Sequence, residues 1–165
     1  RDNMIKIREC EEADIPKIAE IACSCFPHDY ISDDGLKHAE AWVKERFFMN
    51  KFSRYHVAED DGKVVGFVYH LMLGGLSGVV QLEQIGVDPK HRRKGIGVKL
   101  ILESEHFWKK YLPKEFKKPL YKILLTTSKM NDVAHNLYAK CGFKYETTMK
   151  KLYFGNDEEI WVKEF

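Results

Sequence analysis

Between His91 and Leu102 the chain reads HRRKGIGVKLIL: four side chains able to carry positive charge run into two glycines, Gly95 and Gly97, set one residue apart. Glycine inside a helix costs roughly 1 kcal/mol against alanine. Two of them where an amphipathic run begins point to backbone that bends tightly or is closely approached. The bases Arg92, Arg93 and Lys94 beside them point to an anion. A strand ending at Val87, then Asp88-Pro89, then bases and G-x-G at a helix start would aim unpaired backbone N–H groups at one spot. The positive end of the helix dipole would face the same spot, where a phosphate can sit. A tight turn decorated with solvated cations fits the same residues. Two better-known glycine motifs do not fit: Leu100 stands where the dinucleotide fingerprint needs its third glycine, and no G-x-x-x-x-G-K-[ST] occurs.

Other reactive side chains are less organised. The histidines at 28, 38, 56, 70, 91, 106 and 135 show no H-x-x-x-H or Cys/His spacing, so no metal is expected. Cys10, Cys23, Cys25 and Cys141 are too few and too unevenly placed for a disulfide framework or a zinc site, which points to a reducing, cytoplasmic setting. Cys141 could carry an acyl group in principle, but it reads better as a small buried hydrophobe. No apolar run approaches the ~18 residues of a membrane span and no secretory leader is evident. Arg1, Asp2 and Asn3 precede Met4, which looks like a natural start, so these three are expected to be additions ahead of it.

Net charge is only +2, yet from Lys90 to Lys122 eleven Lys and Arg stand against three Asp and Glu, a local excess of +8. That region wants anions.

The elements that must hold these residues follow from periodicity. MIKIREC, from Met4 to Cys10, alternates like a strand, and Ile15, Ile18, Ala19, Ala22, Cys25 and Phe26 follow helical spacing. Ser32 and Asp33 are N-cap candidates for a second helix marked by Leu36, Ala39, Val43 and Phe47. Asp61-Gly62 joins strands 54–59 and 64–73 as a hairpin, and Gly74-Gly75 turns into a strand from Val79 to Val87. A helix over 97–112, a strand over 121–127, a helix over 131–141 stopped by Gly142, and strands over 143–153 and 158–164 complete the chain. Tyr111 to Pro119 reads as an irregular basic loop. The order βααβββαβαββ is an α/β domain around one mixed sheet of about seven strands with helices on both faces. Nothing in residues 4–165 divides it, and a chain of 165 residues can bury roughly 70% of its unfolded surface unaided.

Three ordered segments now carry a resemblance. Arg92 to Gly97 (RRKGIG) resembles the R/Q-x-x-G-x-G/A motif of the GCN5-related N-acetyltransferase family. Leu82 to Pro89 (LEQIGVDP) is similar to that family's preceding strand. Asn131 to Phe143 (NDVAHNLYAKCGF) is similar to its N-x-x-A-x-x-L-Y-x-K-x-G-F segment. The element order resembles the family fold over nearly the whole chain. The resemblance implies acetyl-CoA as donor, a primary amine as acceptor and direct transfer with no metal.

It also implies roles. Arg92, Arg93, Lys94, Gly95, Ile96 and Gly97 would receive the CoA pyrophosphate, chiefly on backbone N–H groups. Val80 and Leu82 alternate with Gln81 and Glu83, but Ile85 and Val87 place apolar residues on the other parity, which means burial on both faces or a bulge. The family pattern favours a bulge near Gly86-Val87 that splays this strand from its neighbour and opens a slot for the pantetheine arm. Ile85 and Val87 would line it, with the Val87 N–H polarising the thioester carbonyl. Glu83 is the base candidate, because a lysine-type amine has a pKa of about 10.4 and must lose a proton before it attacks. Gln81, nearer the position of the family's best-known glutamate, cannot act as a base. Tyr138, at the L-Y position, would donate to the CoA sulfur, or is simply a core aromatic on the face formed by Val133, Ala134, Leu137 and Cys141. Asn131 caps the helix or meets the cofactor.

The acceptor is expected between the first two helices and the last hairpin, with Asp29, Asp33 and Asp34 as cation attractors or turn and cap residues. Thr126 to Met130 (TTSKM) lacks the Arg and Glu usual in the branch acting on protein N-termini, which favours a small amine over an N-terminus or lysine. Two readings from other classes stay open: a CoA-binding or interaction module without catalysis, and a nucleic-acid binder using the +8 region. That region has no interleaved aromatics on a nucleic-acid motif. A homodimer is compatible with the sequence, and a membrane partner is not expected.

Overall fold

Asp61 and Gly62 both take positive φ, 47° and 76°, the paired left-handed geometry of a type I′ turn. They join β2 (Ser53–Asp60) to β3 (Lys63–Leu73). The computed structural model describes residues 4–29, 34–49 and 51–165. Its remaining elements are β1 (Lys6–Glu9), α1 (Ile15–Cys25), α2 (Gly35–Phe48), β4 (Val79–Val87), α3 (Ile96–Phe116), β5 (Lys122–Ser128), α4 (Asp132–Lys140), β6 (Lys144–Tyr153) and β7 (Asn156–Glu164). This is the expected order, in one seven-stranded sheet arranged β1-β2-β3-β4-β5-β7-β6. The cap candidates Ser32 and Asp33 and residues 1–3 lie outside the described residues. Asp34 stands at the cap position of α2, where its side chain makes no cap bond and pairs instead with Lys37 at 3.3 Å.

Contacts group the chain into two compact units, Arg1–His70 with Gln84–Ser104, and Leu71–Glu83 with Glu105–Phe165. In the first, two glycines let helices approach opposite faces of the sheet. A Cβ on Gly86 would come within 2.8 Å of the Phe67 ring and 3.2 Å of Cys25 Sγ on α1, whereas one on Gly66 would meet Leu100 and Ile96 of α3 at 3.3 and 3.4 Å. Ile18, Ala19, Val43, Val57, Phe67 and Tyr69 are fully enclosed. Tyr55 stacks on Tyr69 at 4.3 Å, and Trp42 meets Tyr69 edge-on.

This core also holds His56 and His70, which burial depresses to about 4 and about 3, helped by Arg54 and by His56 respectively. Both are neutral in the fold, while the unfolded chain binds protons on them near pH 6.5. Stability is therefore full above about pH 6.5 and falls as pH drops toward the folded values, by about 1.4 kcal/mol per pH unit for each histidine. Urea midpoints measured from pH 7 to pH 5 should fall more steeply for the wild type than for His70→Gln. Equal slopes would contradict this origin.

In the second unit α3 runs past the point where the sequence predicted its end. Tyr111 to Phe116 is helical with Pro113 inside it, correcting the expected loop from Tyr111. Proline removes one N–H, but aromatic packing holds the last turns: Tyr111 stacks on Phe107 at 5.0 Å and meets Trp108 and Phe116 edge-on. Trp108 and Leu112 are fully buried.

The two ladders that β5 makes differ in length. β4 pairs with β5 in parallel at Val79↔Lys122, Val80↔Ile123 and Gln81↔Leu124, and both strands run on beyond this ladder, to Val87 and Ser128. β5 keeps an antiparallel ladder with β7 along its whole length, from Lys122↔Glu164 to Ser128↔Glu158.

Candidate active site

In the first unit, the end of β4 and the start of α3 form the glycine loop. Asp88 anchors it: its N–H donates to the Val65 carbonyl at 2.9 Å, and its Oδ1 accepts from the Lys90 N–H at 3.0 Å. A single 3-10 turn, Pro89–His91, follows. Arg93 and Gly95 then take positive φ, 63° and 72°, and α3 begins at Ile96. Gly95 is exposed with nothing within 4 Å of where a Cβ would stand. Arg92, Arg93 and Lys94 are exposed, while Ile96 is buried and pins the first turn of the helix. The first N–H groups of a helix lack intrahelical acceptors, so this is an open, cation-flanked helix start that fits a phosphate.

Arg92 behaves differently from its neighbours. Its Nε donates to the Val87 carbonyl at 3.2 Å and its Nη2 to Cys25 Sγ at 3.5 Å, so the guanidinium is folded back on the end of β4. Its first job is to hold the loop. Ile85 and Val87 are half-buried, which excludes burial on both faces as the reason for their parity, and Gly86 between them aims at Phe67 of β3 and at Ile21 and Cys25 of α1.

In the second unit the open end of the β4/β5 ladder separates two faces. Directly opposed residues share a face, so Ile123, Leu125 and Thr127 of β5 lie with Lys163, Trp161 and Glu159 of β7. This face takes the helices. Lys163 Nζ meets Glu105 of α3 at 2.5 Å, and Trp161 stacks on His135 of α4 at 5.0 Å. Glu159 accepts from Trp161 Nε1 at 3.0 Å and sits 3.2 Å from His135 Nε2. The sequence reading missed this His135–Glu159–Trp161 cluster, although His135 stands one helical turn before Tyr138, where it should share a face. The other face carries Gln81 of β4, Leu124, Thr126 and Ser128 of β5, and Glu158, Ile160 and Val162 of β7. Glu83 follows two residues after Gln81, just past the last β4/β5 pair, and is half-buried.

α4 presents Tyr138. The helix is capped by Asn131, whose Oδ1 accepts from the Ala134 N–H at 3.1 Å, so the capping reading of Asn131 is observed. Tyr138 is 7% exposed, meets Phe143 edge-on at 6.1 Å, and has no hydrogen bond on its hydroxyl among the described residues. Burial, with a smaller push from Cys141, raises it to about 12, which keeps the phenol protonated. Val133 does not join this face: it is 82% exposed beside Met130, also exposed, because the first turn of the helix stands clear of the sheet. Cys141 is buried, and burial lifts its thiol to about 11 despite Lys163 pulling the other way. A thiol so held is a poor nucleophile. Among the described residues no group of three or more His, Cys, Asp or Glu could hold a metal, and no helix is long and apolar enough to cross a membrane.

The acetyltransferase (GNAT) family model matches residues 15–143. A spermidine N(1)-acetyltransferase from Thermoplasma acidophilum is 25% identical over 153 residues, covering 87% of this chain and 91% of that one. An N-alpha-acetyltransferase from Sulfurisphaera tokodaii is 28% identical over 166 residues, covering 95% and 90%. Among solved structures, YncA from Salmonella typhimurium with its cofactor acetyl-CoA superposes with a TM-score of 0.74 at 22% identity, covering 98% of this chain and 94% of that one. The family match takes in the glycine loop, the open end of the β4/β5 ladder and α4, and with it the chain belongs to the GNAT acetyltransferase family.

Proposed function

We propose that residues 4–165 work as one cytoplasmic N-acetyltransferase domain that moves an acetyl group from acetyl-CoA directly to a primary amine, a small amine in preference to a protein N-terminus or a lysine. The observation that carries this reading is the parallel ladder that stops at Gln81↔Leu124 while both strands continue. Strands that pair and then part leave backbone groups for an extended ligand. Glu83 follows directly after the last pair of that ladder, and the helix bearing Tyr138 packs on β7 through His135 and Glu159.

The roles follow from chemistry. The loop from Arg92 to Gly97 takes the pyrophosphate on N–H groups at the start of α3, with Arg93 and Lys94 adding charge and Arg92 steadying the loop through Val87. Ile85, Val87 and Asn131 border the cofactor, and the Val87 N–H polarises the thioester carbonyl. Glu83, directly or through water, takes the proton that a lysine-type amine of pKa about 10.4 must lose. Tyr138 faces the departing thiolate. A phenol near 12 is a weaker acid than a thiol of pKa about 8.5, so complete proton transfer would cost about 5 kcal/mol. The stabilisation therefore comes from a hydrogen bond donated to sulfur as charge develops there, and the proton collected from the amine completes the exchange. No cysteine enters the chain of transfer.

The choice of a small amine rests on TTSKM at 126–130 and on the relative named a spermidine acetyltransferase. The relative named an N-alpha-acetyltransferase keeps peptide N-termini as the second reading. Four free thiols support the cytoplasm. A panel of small amines, lysine derivatives and N-terminal peptides, each supplied with acetyl-CoA, decides between them. Highest kcat/KM on a small amine is expected, and a peptide N-terminus leading by tenfold or more would reverse the preference.

A further inference from the structure

The carboxylate of Glu158 has no part in the acetyl transfer itself, yet its setting is unusual. It lies near the start of β7, directly opposite Ser128 of β5 and Met149 of β6, on the face that also carries Gln81. The residue is 8% exposed. Among the described residues no ion pair or side-chain hydrogen bond engages the carboxylate, and it is absent from the polar atoms sealed away from solvent. A glutamate whose stem is enclosed, whose carboxylate has no cation, and whose tip still reaches solvent is a costly thing for a fold to keep. Its next two strand-mates on that face, Ile160 and Val162, are apolar, and Glu164 beyond them is paired with Lys122. Burial moves its titration upward, as expected for a carboxylate whose partner has not arrived.

We infer that Glu158 is a specificity-determining carboxylate that holds a second cationic group of the acceptor, so that the preferred acceptors are linear amines carrying two or more ammonium centres. This rests on the reading of the protein as a small-amine acetyltransferase. The spacing supports it. β5 lies between the strands bearing Glu83 and Glu158, so the two carboxylates are at least two interstrand spacings apart, about 9 to 10 Å. Glu158 also pairs at Ser128, four positions beyond the last β4/β5 pair at Leu124, whereas Glu83 is only two positions beyond it. A short monoamine placed for attack near Glu83 cannot reach that far. A flexible chain of several methylenes ending in an ammonium can, with its apolar stem along Thr126 and Ile160. One end is then neutralised by loss of a proton for attack, while the other stays charged against Glu158.

The test compares linear monoamines with α,ω-diamines of increasing length, for wild type and Glu158→Gln. Wild type should prefer the longer diamines by about 10- to 100-fold in kcat/KM, the range expected for a hydrogen-bonded charge contact. In Glu158→Gln that preference should collapse, with monoamine kinetics within about twofold of wild type. Removing an unpaired carboxylate should leave the thermal midpoint unchanged or raised. Retention of the diamine preference in Glu158→Gln, or an equal loss on monoamines and diamines, overturns the assignment. Calorimetric titration of the same diamines into each protein with CoA present reads the contact without turnover. If no amine is acetylated but diamine binding still depends on Glu158, the acetyl-transfer reading fails and the Glu158 contact stands; binding that ignores Glu158 sinks the contact alone.

Discussion

Tyr138→Phe should lower kcat by about 10²- to 10³-fold, roughly 3 to 4 kcal/mol at the transition state, while leaving the fold and the affinity for acetyl-CoA intact. The ring is what α4 buries: Tyr138 is 7% exposed against Phe143, and phenylalanine keeps that packing. Only the hydroxyl goes, and no hydrogen bond to a described residue goes with it. A purely structural aromatic predicts the opposite, a silent substitution. The measurement is kcat on the best acceptor, with a thermal melt and acetyl-CoA binding as controls. An unchanged kcat, with chemistry shown to limit the rate, removes Tyr138 from the mechanism. Because burial raises its titration to about 12, the alkaline limb of the wild-type rate should not come from this phenol below about pH 11.

The second large effect is expected in the glycine loop. Gly97→Val places a β-branched side chain in the first turn of α3, where the pyrophosphate must approach the backbone, and should weaken acetyl-CoA binding by about 100-fold or more, close to 3 kcal/mol. Valine is no poorer than glycine in a helix, so the protein should remain folded. Gly95 is the less clean site for this test, since its φ of 72° would add backbone strain of about 1 to 2 kcal/mol for any other residue. Lys99→Ala is the control. Its Nζ donates to the Ile5 carbonyl beside β1, so its loss should loosen that tether and leave cofactor affinity within about twofold. Calorimetry showing equal affinity for wild type and folded Gly97→Val would move the pyrophosphate elsewhere.

What could be read from the residues was what local chemistry dictates. Asp61-Gly62 named its own hairpin because few pairs accept two positive φ values, and β4 was placed to the residue, Val79 to Val87, by its punctuation. Asn131 read as a cap and is one. The misses share a different cause, in that each depends on residues distant in sequence. Pro113 looked like the end of a helix, because the aromatic contacts of Tyr111 that carry the helix past it are a packing property. Val133 fits an apolar helical face by spacing, but the sheet reaches only the later turns of α4. Arg92 read as a phosphate ligand like its neighbours, and nothing local shows that its guanidinium turns back to Val87 and Cys25, which is 67 residues away in the chain. Glu158 was one more charge at a hairpin until the β5 and β6 registers placed it against Ser128 and Met149.

Direct transfer requires that amine and thioester meet on the enzyme and that no acyl group rest on the protein. Intact-protein mass spectrometry after mixing with acetyl-CoA alone, and then with acetyl-CoA and the best amine, tests this most directly. The protein mass should be unchanged in both mixtures, with acetylated amine and free CoA thiol formed together in the second only. A protein heavier by one acetyl group in the first mixture, mapped to Cys141 and discharged when amine is added, would contradict direct transfer.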